Sequence, residues 1–177
     1  MGDDTLYGEE GDDVMYGDGA YGQQLWGDDI MFGGAGADEM YGGIGDDVMY
    51  GGADDDVVYG EQGDDIIYGD GGDDLIDSGT GWDTIYGGEG CDTVTVNDGG
   101  DVVWLGDCYG AEGDQTVTIN GTGPDVTNYA VVMDFWLATA VESNQICIGD
   151  PSVESMTALV CDAQGSVDNV GVCLGDD

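Results

Sequence analysis

The chain has 177 residues and contains no lysine, no arginine and no histidine, against 40 aspartates and glutamates. Without a cationic side chain no salt bridge between side chains can form. Without His or Lys there is no Ser-His-Asp or Cys-His nucleophile, no Schiff-base lysine and no imidazole zinc site. Without Lys or Arg there is no electrostatic footprint for nucleic acid or for an anionic membrane. Paired carboxylates can hydrolyse glycosides, but here they occur throughout and none is singled out. The chain is therefore expected not to be an enzyme. Long apolar runs are also missing. The longest, Tyr129 to Val141, is too short to span a bilayer and contains Asp134, so no membrane insertion is expected. Met1-Gly2-Asp3-Asp4 has neither the basic nor the apolar region of a signal peptide.

What is present pulls in two directions. A net charge of −40 favours an expanded chain through self-repulsion. Yet 41% of the residues are apolar, and they are placed periodically. The two facts agree only if cations from solution supply the missing positive charge.

The period is nine. Gly42-Gly43-Ile44-Gly45-Asp46-Asp47-Val48-Met49-Tyr50 is the clearest copy of a phrase G-G-x-G-x-D-x-U-x, with U a large apolar residue. It recurs from Gly2 to about Trp104. The chain opens inside a copy, at Gly2-Asp3-Asp4-Thr5-Leu6-Tyr7, and Gly8 to Tyr16 is complete. A copy opening at Gly17-Asp18 is interrupted near residues 19–26 and resumes at Gly27. Unbroken copies then start at Gly33, Gly42, Gly51, Gly60, Gly69, Ser78, Gly87 and Val96. A further interrupted copy, with extra residues near 107–112, runs on to Thr118, and the phrase fades after Asn120. Random acidic loops would not place an apolar residue at every ninth position.

This phrase resembles the repeats-in-toxin (RTX) nonapeptide, a calcium-binding repeat. The resemblance implies an all-β, right-handed parallel β-roll with two nonads per turn, each x-U-x a short strand and each G-G-x-G-x-D a turn holding Ca²⁺. It also implies a metal-ligand role for the acids at position six: Asp4, Asp13, Asp29, Asp38, Asp47, Asp56, Asp65, Asp74, Asp83, Asp92 and Asp101. The chemistry agrees, since Ca²⁺ takes six to eight carboxylate and carbonyl oxygens and glycine turns let carbonyls converge.

Two nonads per turn stack U residues 18 apart, insertions aside. One row then reads Leu6, Met31, Met49, Ile67, Ile85 and Val103. The other reads Met15, Met40, Val58, Ile76, Val94 and Val117. At roughly 4.8 Å per coil, about six coils make a rod on the order of 30 Å long with a thin core, so folding is expected to be linked to ion binding. Position nine carries Tyr7, Tyr16, Phe32, Tyr41, Tyr50, Tyr59, Tyr68 and Tyr86, facing opposite to U, as aromatic ladders or as a face for a partner.

In this register Cys91 and Cys108 fall on adjacent turns of one edge, and a disulfide between them is expected. Cys147, Cys161 and Cys173 cannot all pair within one chain. Residues 1–120 are read as the roll and 121–177 as a C-terminal β capping segment. The functional expectation is an extracellular calcium-binding structural module, secreted without an N-terminal signal peptide or held at the cell surface, whose folding is driven by several Ca²⁺ ions. The alternative is a self-assembling filament or surface-layer subunit. Copies would stack end to end through the strand edge that begins inside a repeat.

Overall fold

The computed structural model describes residues 2–18, 26–97, 99–105, 116–119, 130–135, 145–148, 157–162 and 171–174. From residue 119 onward only the backbone pairing is considered. The described residues form sixteen strands. Those of the repeat are β1 (Thr5–Glu10), β2 (Val14–Tyr16), β3 (Ile30–Ala35), β4 (Glu39–Ile44), β5 (Val48–Ala53), β6 (Val57–Gln62), β7 (Ile66–Gly71), β8 (Leu75–Asp77), β9 (Thr84–Glu89), β10 (Thr93–Val96), β11 (Val102–Leu105) and β12 (Thr116–Ile119). Beyond it lie β13 (Ala130–Phe135), β14 (Gln145–Ile148), β15 (Thr157–Asp162) and β16 (Gly171–Leu174). Odd-numbered strands form one eight-stranded sheet and even-numbered strands another. Every pairing is parallel, so each successive pair of strands makes one coil of a β-roll.

The apolar rows stack as the nine-residue period predicts. Leu6 pairs with Met31, Met31 with Met49, Met49 with Ile67, Ile67 with Ile85, and Ile85 with Val103. In the second sheet the register runs Met15, Met40, Val58, Ile76, Val94, Val117. Met31, Met40, Met49, Val58, Ile67, Ile76, Ile85 and Val94 are wholly buried. Each such side chain contributes about 1.5–3 kcal/mol of transfer free energy, but the core is little more than one residue deep from either sheet. It widens toward the C-terminal side, where Val96 and Leu105 occupy the first position of their nonads and are buried. Earlier nonads hold glycine there, except for Ser78.

Two features differ from the sequence reading. Most strands run six residues, through x-U-x and on into the glycines, as in Ile30-Met31-Phe32-Gly33-Gly34-Ala35 of β3. Ladder pairing needs only backbone donors and acceptors, and a glycine pair keeps both. The ladder also runs past residue 120. The segment expected as a cap, 121–177, contributes β13–β16 to the two sheets in parallel register.

The insertion near residues 19–26 leaves the coil undisturbed. Equivalent aspartates are 25 residues apart across it and 18 apart in the next coil. Residues 19–25 and 106–115, which include the second expected insertion and Cys108, lie outside the described residues.

Aromatic residues at position nine stack from coil to coil. Tyr7, Phe32, Tyr50, Tyr68 and Tyr86 form one column with ring centroids 4.7–5.1 Å apart, continued by Trp104 at 6.2 Å. Tyr16, Tyr41 and Tyr59 form a second at 4.8 and 4.9 Å. Such pairs are worth about 0.5–1.5 kcal/mol each beyond their burial. The columns brace the outer faces of both sheets.

Coil stacking makes severe demands at the turn glycines. Gly45 has φ +151°, and a Cβ on it would strike the carbonyl oxygen of Gly27 in the coil before. Gly11 has φ +110° but open space around the Cβ position. Gly11→Ala should therefore meet only backbone strain, about 1–3 kcal/mol, whereas Gly45→Ala must also push two coils apart. Urea unfolding of the ion-loaded protein should show a clearly larger loss for Gly45→Ala. Equal losses would mean that the close approach carries no energy.

Candidate functional site

Each nonad ends its turn on the position-six aspartate, which leads directly into the next strand. Because a strand alternates faces, the inward U residue two positions later brings this aspartate to the interior as well. Asp29, Asp38, Asp47, Asp56, Asp65, Asp74, Asp83, Asp92 and Asp101 are at most 2% exposed. Asp13 is partly exposed, and Asp4, beside the edge strand β1, is exposed. All eleven predicted residues thus lie in two register rows along the turns, with only those nearest the β1 and β2 edges open to solvent.

One oxygen of the buried carboxylate is used by the fold. The Oδ1 of Asp47 accepts from the backbone N–H of Asp29 at 2.7 Å, that of Asp65 from Asp47 at 2.8 Å, and that of Asp83 from Asp65 at 2.9 Å. The other turn row repeats this, with Asp38 Oδ1 accepting from Asp13, Asp56 from Asp38, Asp74 from Asp56, and Asp92 from Asp74. Each position-six carboxylate therefore reaches back one coil.

The other oxygen is not used. Oδ2 of Asp13, Asp29, Asp38, Asp47, Asp56, Asp65, Asp74, Asp83, Asp92 and Asp101 is buried without a hydrogen-bond partner. A buried polar atom with no partner costs about 1–3 kcal/mol, more when charged. Eight of these atoms, all but those of Asp83 and Asp101, face the first glycine of the same nonad, where space exists because that residue has no side chain. A Cβ on Gly42 would lie 2.5 Å from Asp47 Oδ2. At Ser78 the position carries a hydroxyl, also fully buried.

Burial makes these carboxyls hard to ionise. Desolvation is the first cause in each case, partly offset by the backbone N–H that Oδ1 accepts and reinforced by neighbouring acids. It pushes Asp65 and Asp74 up to about 8, and Asp47, Asp92 and Asp101 up to about 7. Asp56 and Asp83 rise to about 6. Asp29 is raised as well, by desolvation first and by Asp18, Asp4 and Asp3 after it. No cationic side chain exists in the sequence to reverse this.

A hard cation fits the oxygens present. No three or more His, Cys, Asp or Glu side chains converge as a metal cluster among the described residues. A cation between coils would thus take carboxylate oxygen from a position-six aspartate and the remainder from the backbone. Such carbonyls form columns along the turns: those of Gly27, Gly45, Gly63 and Gly81 each abut the position-four glycine of the next coil. That donor set, few carboxylates and many carbonyls, suits Ca²⁺.

Sequence reasoning missed the neighbouring acid. The position-five carboxylates make a second staircase running the opposite way. Asp28 Oδ1 accepts from Asp46 N–H at 3.0 Å, Asp46 from Asp64 at 2.9 Å, and Asp64 from Trp82 at 2.9 Å. On the other turn row Asp55 accepts from Asp73 at 2.8 Å and Asp73 from Cys91 at 2.9 Å. The signal was the recurring Asp-Asp pair, which one ligand per turn does not require. Position six reaches back one coil from inside, and position five receives from the next coil outside.

Fold and site together define a parallel β-roll of tandem nonapeptides with buried carboxylates along both edges. The model of the RTX calcium-binding nonapeptide repeat matches residues 2–21, 25–58, 50–81 and 77–107, more than half of the chain, and the chain belongs to that family. No curated protein and no solved structure matches it. Family membership makes it a calcium-binding structural module.

The raised carboxyls fix the sign of a pH effect. Their folded, ion-free values lie above the unfolded one, so the stability they confer on the ion-free roll is full below about pH 4 and is lost as pH rises through about 6–8. Ca²⁺ binds the ionised form and so competes with protons. Chelated protein should keep more β signal in circular dichroism at pH 5 than at pH 8, and the Ca²⁺ midpoint should fall to lower concentration from pH 6 to pH 8. A midpoint independent of pH would place the ion away from these carboxyls.

Proposed function

We propose that this chain is an extracellular calcium-binding structural module whose folding is driven by several Ca²⁺ ions held in its turns. The observation that carries the reading is the double row of buried, partnerless Oδ2 atoms. Ion-free, these rows combine mutual repulsion with desolvation; a divalent cation between coils removes both costs. The ligands we assign are Asp4, Asp13, Asp29, Asp38, Asp47, Asp56, Asp65, Asp74, Asp83, Asp92 and Asp101, with backbone carbonyls completing each shell. The role is structural rather than catalytic, since the carboxylates are engaged in stacking coils and no basic residue is available beside them.

Secretion or display at the cell surface is supported by the need for abundant Ca²⁺ and by the cysteines, which suit an oxidising space. Among the described residues no helix is long and apolar enough to cross a membrane. We assign Cys91, which is buried, to a disulfide with Cys108 across adjacent turns. We assign residues 121–177 as the capping segment of the repeat, a role supported by β13–β16 continuing its two ladders.

The second reading, an end-to-end assembly, rests on β1 and β2 being edge strands of the two sheets among the described strands. An edge of unpaired N–H and C=O groups accepts another strand. Filaments in electron microscopy that appear only with Ca²⁺ would favour it; monodisperse single particles at high Ca²⁺ would remove it.

The main test is a calcium titration followed by circular dichroism, with ion stoichiometry from equilibrium dialysis. A cooperative rise in β signal with several ions bound per chain is expected. An unchanged spectrum between excess chelator and excess Ca²⁺ would sink the proposal. Asp65→Asn should raise the Ca²⁺ midpoint several-fold by removing an interior ligand. Asp46→Asn, which keeps an acceptor oxygen on the outer staircase, should move it far less.

A further inference from the structure

The three cysteines beyond the repeat are sorted by backbone register. β14 and β16 are neighbours in parallel pairing, and Cys147 is the Cα partner of Cys173. Cys161 lies on β15, in the opposite sheet, paired with Asp134 of β13. Partnered residues on adjacent strands have Cα atoms about 4.8 Å apart, inside the roughly 4.4–6.8 Å window of a disulfide. Facing sheets stand about 10 Å apart, which puts Cys161 out of reach of the other two.

The row to which Cys147 and Cys173 belong adds a second argument. Followed back through the register it is the position-nine row, passing through Thr118, Thr95 and Asp77 to Tyr59, Tyr41 and Tyr16. In the coils where its side chains are described, neighbouring levels of this row touch: the Tyr16–Tyr41 and Tyr41–Tyr59 centroids are 4.8 and 4.9 Å apart. Two cysteines on successive levels of a row with that spacing are placed to bond.

We propose that Cys147 and Cys173 form a disulfide that fastens β16 to β14 and leaves Cys161 as the single thiol of the tail. β16 is an edge strand that pairs only with β14 among the described strands, so a covalent tie to β14 would fasten it. In the reaction one cysteine thiolate attacks a sulfur of a low-molecular-weight disulfide such as oxidised glutathione, expelling one glutathione thiolate. The second cysteine thiolate then displaces the other from the mixed disulfide. One S–S bond forms in the protein, one is lost from glutathione, and the two cysteine protons end on the two released thiols.

The test uses the full chain, refolded with Ca²⁺ in a glutathione redox buffer, alkylated and digested at acidic residues, since trypsin has no site to cut. Mass spectrometry should find the Cys147 and Cys173 peptides linked in the wild type and in Cys161→Ser alike, with Cys161 alkylated in the wild type. Cys173→Ser should lower the melting temperature of the calcium-loaded protein by roughly 5–10 °C. Cys161 joined to either partner, or Cys147 and Cys173 both alkylated in protein that has folded by circular dichroism, would overturn the pairing. An unchanged melting temperature in Cys173→Ser would overturn the fastening role. The calcium response is read on the same sample. A linked Cys147–Cys173 pair without any calcium response would defeat the calcium reading and leave this one standing.

Discussion

The structure turns on a carboxylate that is buried and only half satisfied. From Asp29 to Asp101, the position-six Oδ1 accepts a backbone N–H from the coil before while Oδ2 is enclosed with no hydrogen-bond partner. The first bond ties each turn to the coil before it, and the second atom is left for an ion. An unpaired charge in an interior costs several kcal/mol, and nothing in this sequence can neutralise it from within. In a calcium-binding repeat the counter-charge comes from outside the polypeptide, and an ion that binds only the folded chain stabilises it.

Other features follow from this constraint. Position one is glycine through most of the repeat because the enclosed Oδ2 lies where a side chain would begin, as at Gly42 beside Asp47. That leaves one inward apolar side chain per strand and a core too thin to offset the repulsion unaided. Where the first position becomes Val96 and Leu105, the interior gains packing. Outside, the tyrosine columns and the position-five staircase tie coil to coil without entering the ion rows. The two staircases run in opposite directions, so each turn is held to the coil on either side of it.

Stacking also explains why the roll tolerates interruption at its turns but not at its spacing. The insertion near residues 19–26 adds residues without changing which aspartate meets which. A methyl group at Gly45 has no such exit. Chain length can be absorbed outward, whereas coil separation is set by backbone hydrogen bonds and cannot.

The sequence by itself determined the period, the two apolar rows and the positions of the aromatic residues opposite them. All of these follow from a nine-residue repeat with a two-residue strand alternation, which is local information. Only the tertiary structure decided how the two oxygens of each position-six carboxylate are used and that position five makes its own staircase. It also decided that the ladders run on through β13–β16 after the phrase has faded. These depend on which backbone group from another coil arrives opposite a given atom. Hydrogen-bonded pairing accepts any residue that supplies an N–H and a C=O, so it leaves little trace in side-chain pattern. Met49 can be placed in the core from its spacing alone, whereas Asp47 Oδ2 is seen to lack a partner only once the neighbouring coils are in place.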